Sequence, residues 1–117
     1  MAKVLVVDDA QFLRVRITKM LNGEGHEYQE ASNGVEAVQT YQSYQPDIVL
    51  MDITMPEMDG MEALREIRGL DPDSKVVMLT ALGQESIVLE AIKLGAKDFI
   101  VKPFEKERVL GTIAKFC

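Results

Sequence analysis

Short, unbroken apolar runs alternate along the chain with longer stretches in which apolar residues recur every three or four positions. Val4-Leu5-Val6-Val7, Ile48-Val49-Leu50-Met51 and Val76-Val77-Met78-Leu79 are continuous and rich in β-branched residues, the pattern of strands buried on both faces. From Gln11 to Asn22 the spacing changes to helical: Leu13, Ile17, Met20 and Leu21 share one face, and Gly23 and Gly25 end it. Residues 27–31 predict a weak strand whose only apolar members are Tyr28 and Ala31. Ser32-Asn33-Gly34 turns the chain into a short helix over 35–43, with Val35, Val38 and Tyr41 facing inward and Pro46 closing the connection. A helix is predicted over 61–69. Another spans 84–94 with Ile87, Val88, Ala91, Ile92 and Leu94, stopped by Gly95. Phe99-Ile100-Val101 forms the fifth strand, and a last amphipathic helix carries Val109, Leu110 and Ile113.

This alternation of strand and helix, repeated five times without a linker, predicts an α/β fold with a parallel sheet covered by helices on both faces. The first, third and fourth strands are wholly apolar and should be central, while the polar second strand belongs at an edge. That is the flavodoxin-like, doubly wound (βα)5 arrangement with strand order 2-1-3-4-5. Its ligands sit at the carboxyl ends of the strands, where the order reverses between the first and third.

Composition narrows the partners. The chain has 117 residues, enough for one domain over 1–117, with 47% hydrophobic and 27% charged residues. Its 19 acids against 13 bases leave a net charge of −6, which disfavours a nucleic-acid surface or a polybasic membrane patch. Lys106 and Arg108 alternate with Glu105 and Glu107 as on a solvated helix face. No apolar run approaches a membrane span, Met1-Ala2-Lys3 carries no secretory pattern, and the single cysteine, Cys117, has no partner. A cytoplasmic location and protein or small-molecule partners are the expectation.

The candidate chemistry gathers at the predicted strand ends: Asp8 and Asp9 after the first strand, Asp52 after the third, Thr80 after the fourth and Lys102 after the fifth. Three carboxylates crowded at one sheet edge repel one another, and a divalent cation such as Mg2+ relieves this. A single Asp there would more simply stop a strand or cap a helix; three beside a lysine point to a site. Asp52 is placed as a carboxylate nucleophile toward a phosphoryl group, which Lys102 would neutralise and Thr80 would contact through its hydroxyl. Pro103 permits a cis bond after Lys102. Phe99 reads as a core aromatic and His26 as a solvated loop residue without zinc partners. The seven methionines read mostly as core filler, with Met55 and Met58 in a loop the exceptions.

Val7-Asp8-Asp9, Met51-Asp52-Ile53-Thr54-Met55-Pro56, Asp59-Gly60, Leu79-Thr80-Ala81 and Phe99-Ile100-Val101-Lys102-Pro103-Phe104 together resemble, in order and spacing, the signature of response-regulator receiver domains. With nothing after the last helix, the chain is similar to stand-alone, chemotaxis-type members with no output domain. The resemblance implies that Asp52 accepts a phosphoryl group from a CheA-like sensor histidine kinase. Asp9, Asp52 and the Thr54 backbone carbonyl would bind Mg2+, with Asp8 acting through water. Lys102 and Thr80 would contact the phosphoryl group. Thr80 would move toward it and Phe99 would swing inward, reshaping the face of the fourth helix, fifth strand and fifth helix for a target such as a flagellar motor switch.

The resemblance further implies a monomer, a switch rather than an enzyme beyond self-phosphotransfer and slow autodephosphorylation, and a possible phosphatase partner. Phe99 lacks the hydroxyl common at that position in chemotaxis members. Thr54 and Leu82 occupy positions that tune dephosphorylation in the family, and apolar Leu82 implies a slow rate. Within the family, a phosphorelay intermediate or a phosphate sink is the alternative. An aspartyl-phosphate phosphohydrolase would need a third-position acid where Ala10 stands, and a flavodoxin-like cofactor binder would not place Asp8-Asp9 in its phosphate loop.

Overall fold

The computed structural model of the chain describes residues 2–117. Five strands and five helices alternate: β1 (Lys3–Val7), α1 (Gln11–Gly23), β2 (Glu27–Ala31), α2 (Gly34–Tyr44), β3 (Ile48–Asp52), α3 (Gly60–Leu70), β4 (Val76–Thr80), α4 (Glu85–Leu94), β5 (Asp98–Val101) and α5 (Lys106–Phe116). All four strand pairings are parallel, and the order is β2-β1-β3-β4-β5, as the strand compositions predicted. No helix among the described residues is long and apolar enough to cross a membrane.

Side chains alternate across a strand, so the continuous apolar runs supply two cores at once. Val4, Val6, Leu50, Val77 and Leu79 face Ile17 and Leu21 of α1 and Val109 and Ile113 of α5. Leu5, Val7, Met51 and Met78 face the other layer, where Ala37 and Tyr41 of α2, Leu64 and Ile67 of α3, and Val88 and Ala91 of α4 pack. β3 and β4 are buried at every position, whereas β2 buries only Ala31. Because α1 and α3 lie on opposite faces, the chain parts in two directions beyond β1 and β3, leaving an open crevice at their carboxyl ends.

The loops around that crevice are held by local polar chemistry. Asn33 caps α2 by accepting the Glu36 N–H at 2.9 Å, and Asp59 caps α3 by accepting the Glu62 N–H at 3.0 Å. The Gly60 N–H donates to the Ile53 carbonyl at 2.8 Å, folding the β3–α3 loop tightly over the strand end. A Cβ on Gly60 would overlap the Asp52 carbonyl oxygen, so a side chain does not fit there.

Several expectations are corrected. Val35 is 38% exposed; α2 begins a residue earlier than predicted and turns Ala37 to the core in its place. Ile92 is exposed as well, since α4 touches the sheet chiefly through Val88 and Ala91. Phe99 is not a core aromatic: at the edge of the sheet it is 37% exposed. Met55 and Met58 are not a binding surface, because Met55 is buried in the α2–α3 core and Met58 packs against it. His26 is not merely solvated, for its Nδ1 accepts the Ala2 N–H at 3.0 Å. Arg108 does more than solvate a helix face: it pairs with Asp98 at 3.5 Å and donates to the Thr112 hydroxyl at 2.9 Å.

Candidate functional site

Sheet register brings the strand-end residues level with one another. Val7 pairs with Met51 and Asp52 with Leu79, so Asp8 lies across from Asp52; Thr80 pairs with Val101, so Lys102 begins just beyond Thr80. The Lys102 N–H continues the ladder by donating to the Thr80 carbonyl at 2.7 Å, and the Lys102–Pro103 peptide is cis. Lys102 thus crosses over two strand ends to reach the acids. Its Nζ donates to Asp52 Oδ1 at 3.0 Å and lies 3.1 Å from Asp8 Oδ2. It does not pair with Glu105.

One carboxylate oxygen from each of Asp8, Asp9 and Asp52 falls within a 4.8 Å cluster. Asp8 is fully buried, Asp52 is 8% exposed, and Asp9 is open to solvent at the rim. Asp8 is the best anchored: its Oδ1 accepts the Ala10 N–H at 2.9 Å, and its backbone carbonyl accepts from Arg14 Nη1 at 2.6 Å. Arg14 in turn pairs with Glu30 at 3.0 Å, a contact that ties α1 to β2 beneath the site. Asp8 Oδ2 is different. It is buried and accepts no aligned hydrogen bond, even though Lys102 Nζ is 3.1 Å away. The contact is one of charge without hydrogen-bond direction, and the ion pair is the interaction that counts, because Coulomb attraction depends on distance rather than angle.

The electrostatics follow from this crowding. Burial pushes the Asp52 carboxyl above its ordinary pKa and Asp8 adds to the effect; Lys102 opposes both, and Asp9 contributes a smaller upward push. Burial alone would lower the Lys102 pKa, but Asp52 and Asp8 more than reverse it, so the ammonium is held more firmly than in water. One cation against three carboxylates leaves the site short of positive charge. The buried Asp8 oxygen without a directed donor and the all-oxygen ligand set both fit a hard divalent cation.

Thr80 is buried, and its hydroxyl faces Gln84 rather than the acids: Oγ1 lies 3.1 Å from both the Ala81 carbonyl and Gln84 Oε1. Gln84 Oε1 also accepts the Ala81 N–H at 2.7 Å, and Nε2 donates to Thr54 Oγ1 at 3.3 Å. Thr54 is exposed on the loop after β3. A cavity of about 240 Å3 opens beside Thr80 and is lined by Leu82, Val88, Leu89, Phe99 and Val101. Arg108 donates to the Phe99 carbonyl at 2.5 Å, fixing the backbone of that strand from α5. All the strand-end residues singled out from the sequence lie on this one edge, with Phe99 one strand over. The roles of Gln84, Arg14 and Arg108 were not apparent beforehand, since no spacing distinguishes them from ordinary helix-surface residues. A second cavity of about 570 Å3, beside Tyr41, Pro46 and Asp71, touches none of these residues.

The response regulator receiver domain model matches residues 4–114. The chain is 53% identical over 116 residues to chemotaxis protein CheY of Listeria monocytogenes, covering 98% of each protein. It is 32% identical to sporulation initiation phosphotransferase F of Bacillus subtilis, covering 97% of this chain and 92% of that one. Among solved structures, CheY of Borrelia burgdorferi, crystallised with CheX, BeF3 and Mg2+, superposes with a TM-score of 0.91 at 40% identity, covering 97% of this chain and 87% of that one.

Proposed function

The chain belongs to the response regulator receiver family, and from that premise we propose that it is a phosphorylation-activated response regulator of chemotaxis whose phosphoacceptor is Asp52. The observation that carries the reading is the half-buried Lys102 ammonium, 3.0 Å from Asp52 Oδ1 and set among three clustered carboxylates. A carboxylate is a weak nucleophile, and a phosphoryl donor is itself an anion. Acceptance therefore needs a preformed positive centre, and Lys102 is placed to supply one.

In this reading an Asp52 carboxylate oxygen attacks phosphorus as the bond to a histidine nitrogen of a sensor kinase breaks, leaving an acyl phosphate on Asp52. Asp8, Asp9, Asp52 and the Thr54 backbone carbonyl would hold Mg2+, which when bound neutralises phosphoryl oxygens. Lys102 then exchanges its contact with Asp52 Oδ1 for one with the phosphoryl group. Thr80 turns its hydroxyl toward the same group, and Phe99, half-exposed beside the 240 Å3 cavity, moves into the space that Thr80 leaves. The face next to this cavity exposes Leu82, Leu89 and Ile92, an apolar surface suited to a protein target. The chain acts as a self-modifying receiver-domain switch, and a kinase, a motor-type target and a phosphatase are its proposed partners. The higher identity to CheY than to the sporulation phosphotransferase favours chemotaxis over a phosphorelay role.

Incubation with a small phosphodonor and Mg2+ tests this. The parent should acquire one acid-stable, base-labile phosphoryl group and Asp52→Asn none. Labelling of Asp52→Asn equal to the parent, or an unlabelled parent, would overturn the assignment.

A further inference from the structure

The Gln84 side chain bridges the two loops that flank the acids. Its carboxamide oxygen accepts the Ala81 N–H at 2.7 Å, which settles the orientation of the amide, because a backbone N–H can only donate and so requires oxygen opposite it. The same oxygen stands 3.1 Å from the Thr80 hydroxyl, and the amide nitrogen reaches Thr54 Oγ1 across the crevice at 3.3 Å. Gln84 itself is the residue from which α4 starts. One side chain therefore ties the end of β4, the loop after β3 and the first turn of α4 into a single polar bridge.

We propose that Gln84 is a positioning residue that latches the resting state by competing with the phosphoryl group for the Thr80 hydroxyl. The inference deepens the function proposed above and rests on it. A hydroxyl has one proton to donate. While Gln84 Oε1 and the neighbouring Ala81 carbonyl take it, the Thr80 hydroxyl makes no hydrogen bond to the Asp52 or Lys102 side chain. For Thr80 to serve a phosphoryl oxygen on Asp52, the contact with Gln84 must break, and its loss enters the equilibrium between resting and active conformations directly. Breaking it also removes one of the ties between the crevice and the start of α4, so the latch couples the state of the site to the helix that borders the exposed apolar face. Thr80 is 2% exposed, so water does not readily replace Gln84 as acceptor, and the bridge keeps its full effect.

The test is the affinity of the intact protein for beryllium fluoride, a phosphoryl mimic, in the presence of Mg2+, followed by NMR or calorimetry. Gln84→Met keeps the length and apolar stem but replaces the amide oxygen with a thioether, at best a weak acceptor, and should bind the mimic roughly fivefold more tightly than the parent, the ratio that matches one net hydrogen bond. Gln84→Glu keeps an acceptor facing Thr80 and should bind no more tightly than the parent. In a Thr80→Val background, Gln84→Met should no longer change the affinity, because the hydroxyl it would release is gone. If the gain persists in that background, Gln84 acts through the Ala81 N–H or the helix end, and the latch is overturned. Binding by the parent with Gln84→Met unchanged overturns the latch alone. Absence of binding by the parent overturns the phosphoacceptor reading and the latch with it.

Discussion

Asp52 sits under opposing pressures: burial and the Asp8 charge favour its protonated form, while Lys102 favours the carboxylate, and the balance lies on the protonated side of ordinary. A folded pKa above the unfolded one means that the folded chain binds the proton more tightly. The stability from this group is then present at acid pH and is lost as pH rises from the unfolded value through the folded one. Lys102, whose pKa is also raised, contributes stability throughout the neutral range and loses it only at alkaline pH. Two like charges 4 Å apart repel by about 1 kcal/mol in water and about 4 kcal/mol at an effective dielectric constant near 20, and Lys102 offsets part of that here. Asp52→Asn keeps an oxygen for Lys102 and removes the repulsion. It should therefore exceed the parent in stability by about 1 kcal/mol at about pH 7.5, with the difference shrinking toward about pH 4. Urea denaturation at both pH values measures it; a variant less stable than the parent near neutrality would mean that the Lys102 pairing outweighs the crowding. The candidates at this scale were legible because three acids and a lysine standing after apolar runs have few structural uses when they share one sheet edge. Gln84 was not, because a glutamine four residues beyond a strand end looks like any other residue at a helix start.

At the scale of elements, the β3–α3 connection separates two kinds of loop residue. Asp59 caps α3 by accepting the Glu62 N–H at 3.0 Å, and Asp59→Ala should lower stability by about 1 kcal/mol. Gly60, the next residue, is pressed against the backbone: its missing Cβ would overlap the Asp52 carbonyl oxygen and stand 2.9 Å from Ile53 Cα. Backbone at a strand end cannot step aside as a side chain can, so Gly60→Ala should destabilise by about 2–3 kcal/mol and displace Asp52 as well. The two variants should therefore differ in Mg2+ affinity, with Gly60→Ala weakened and Asp59→Ala close to the parent. Equal affinities, read by titration calorimetry, would show that the loop yields without moving the site. The central strands β1, β3 and β4 were readable in advance to within a residue, since two-sided burial makes them continuously apolar. The helix faces were less so. Val35 and Ile92 keep the expected period yet point outward, because the angle at which a helix lies on the sheet decides which edge of its apolar stripe is covered.

The whole molecule carries a net charge of −6 and concentrates three carboxylates at one end of the sheet, so a bound divalent cation should stabilise the fold as a unit. A ligand that binds only the folded state at ten times its dissociation constant adds about 1.4 kcal/mol, or about 5 °C in Tm for a domain of this size. Thermal melts with MgCl2 against NaCl of matched ionic strength should show that rise for the parent and a smaller one for Asp9→Asn; no difference between the two salts would count against the metal site. What the sequence determined by itself was the alternation of strand and helix, the ranking of strands by apolarity and the chemical types standing at their ends. All of these are local properties, set by side-chain period and by what can end a buried strand. What only the tertiary structure decided was mutual placement. Lys102 reaches both Asp8 and Asp52 because the register sets their strand ends level; Phe99 lies beside a cavity instead of inside the core; and the Thr80 hydroxyl is engaged by Gln84. Each depends on distances between segments far apart in the chain, which register and helix packing set, and which no local pattern of residues encodes.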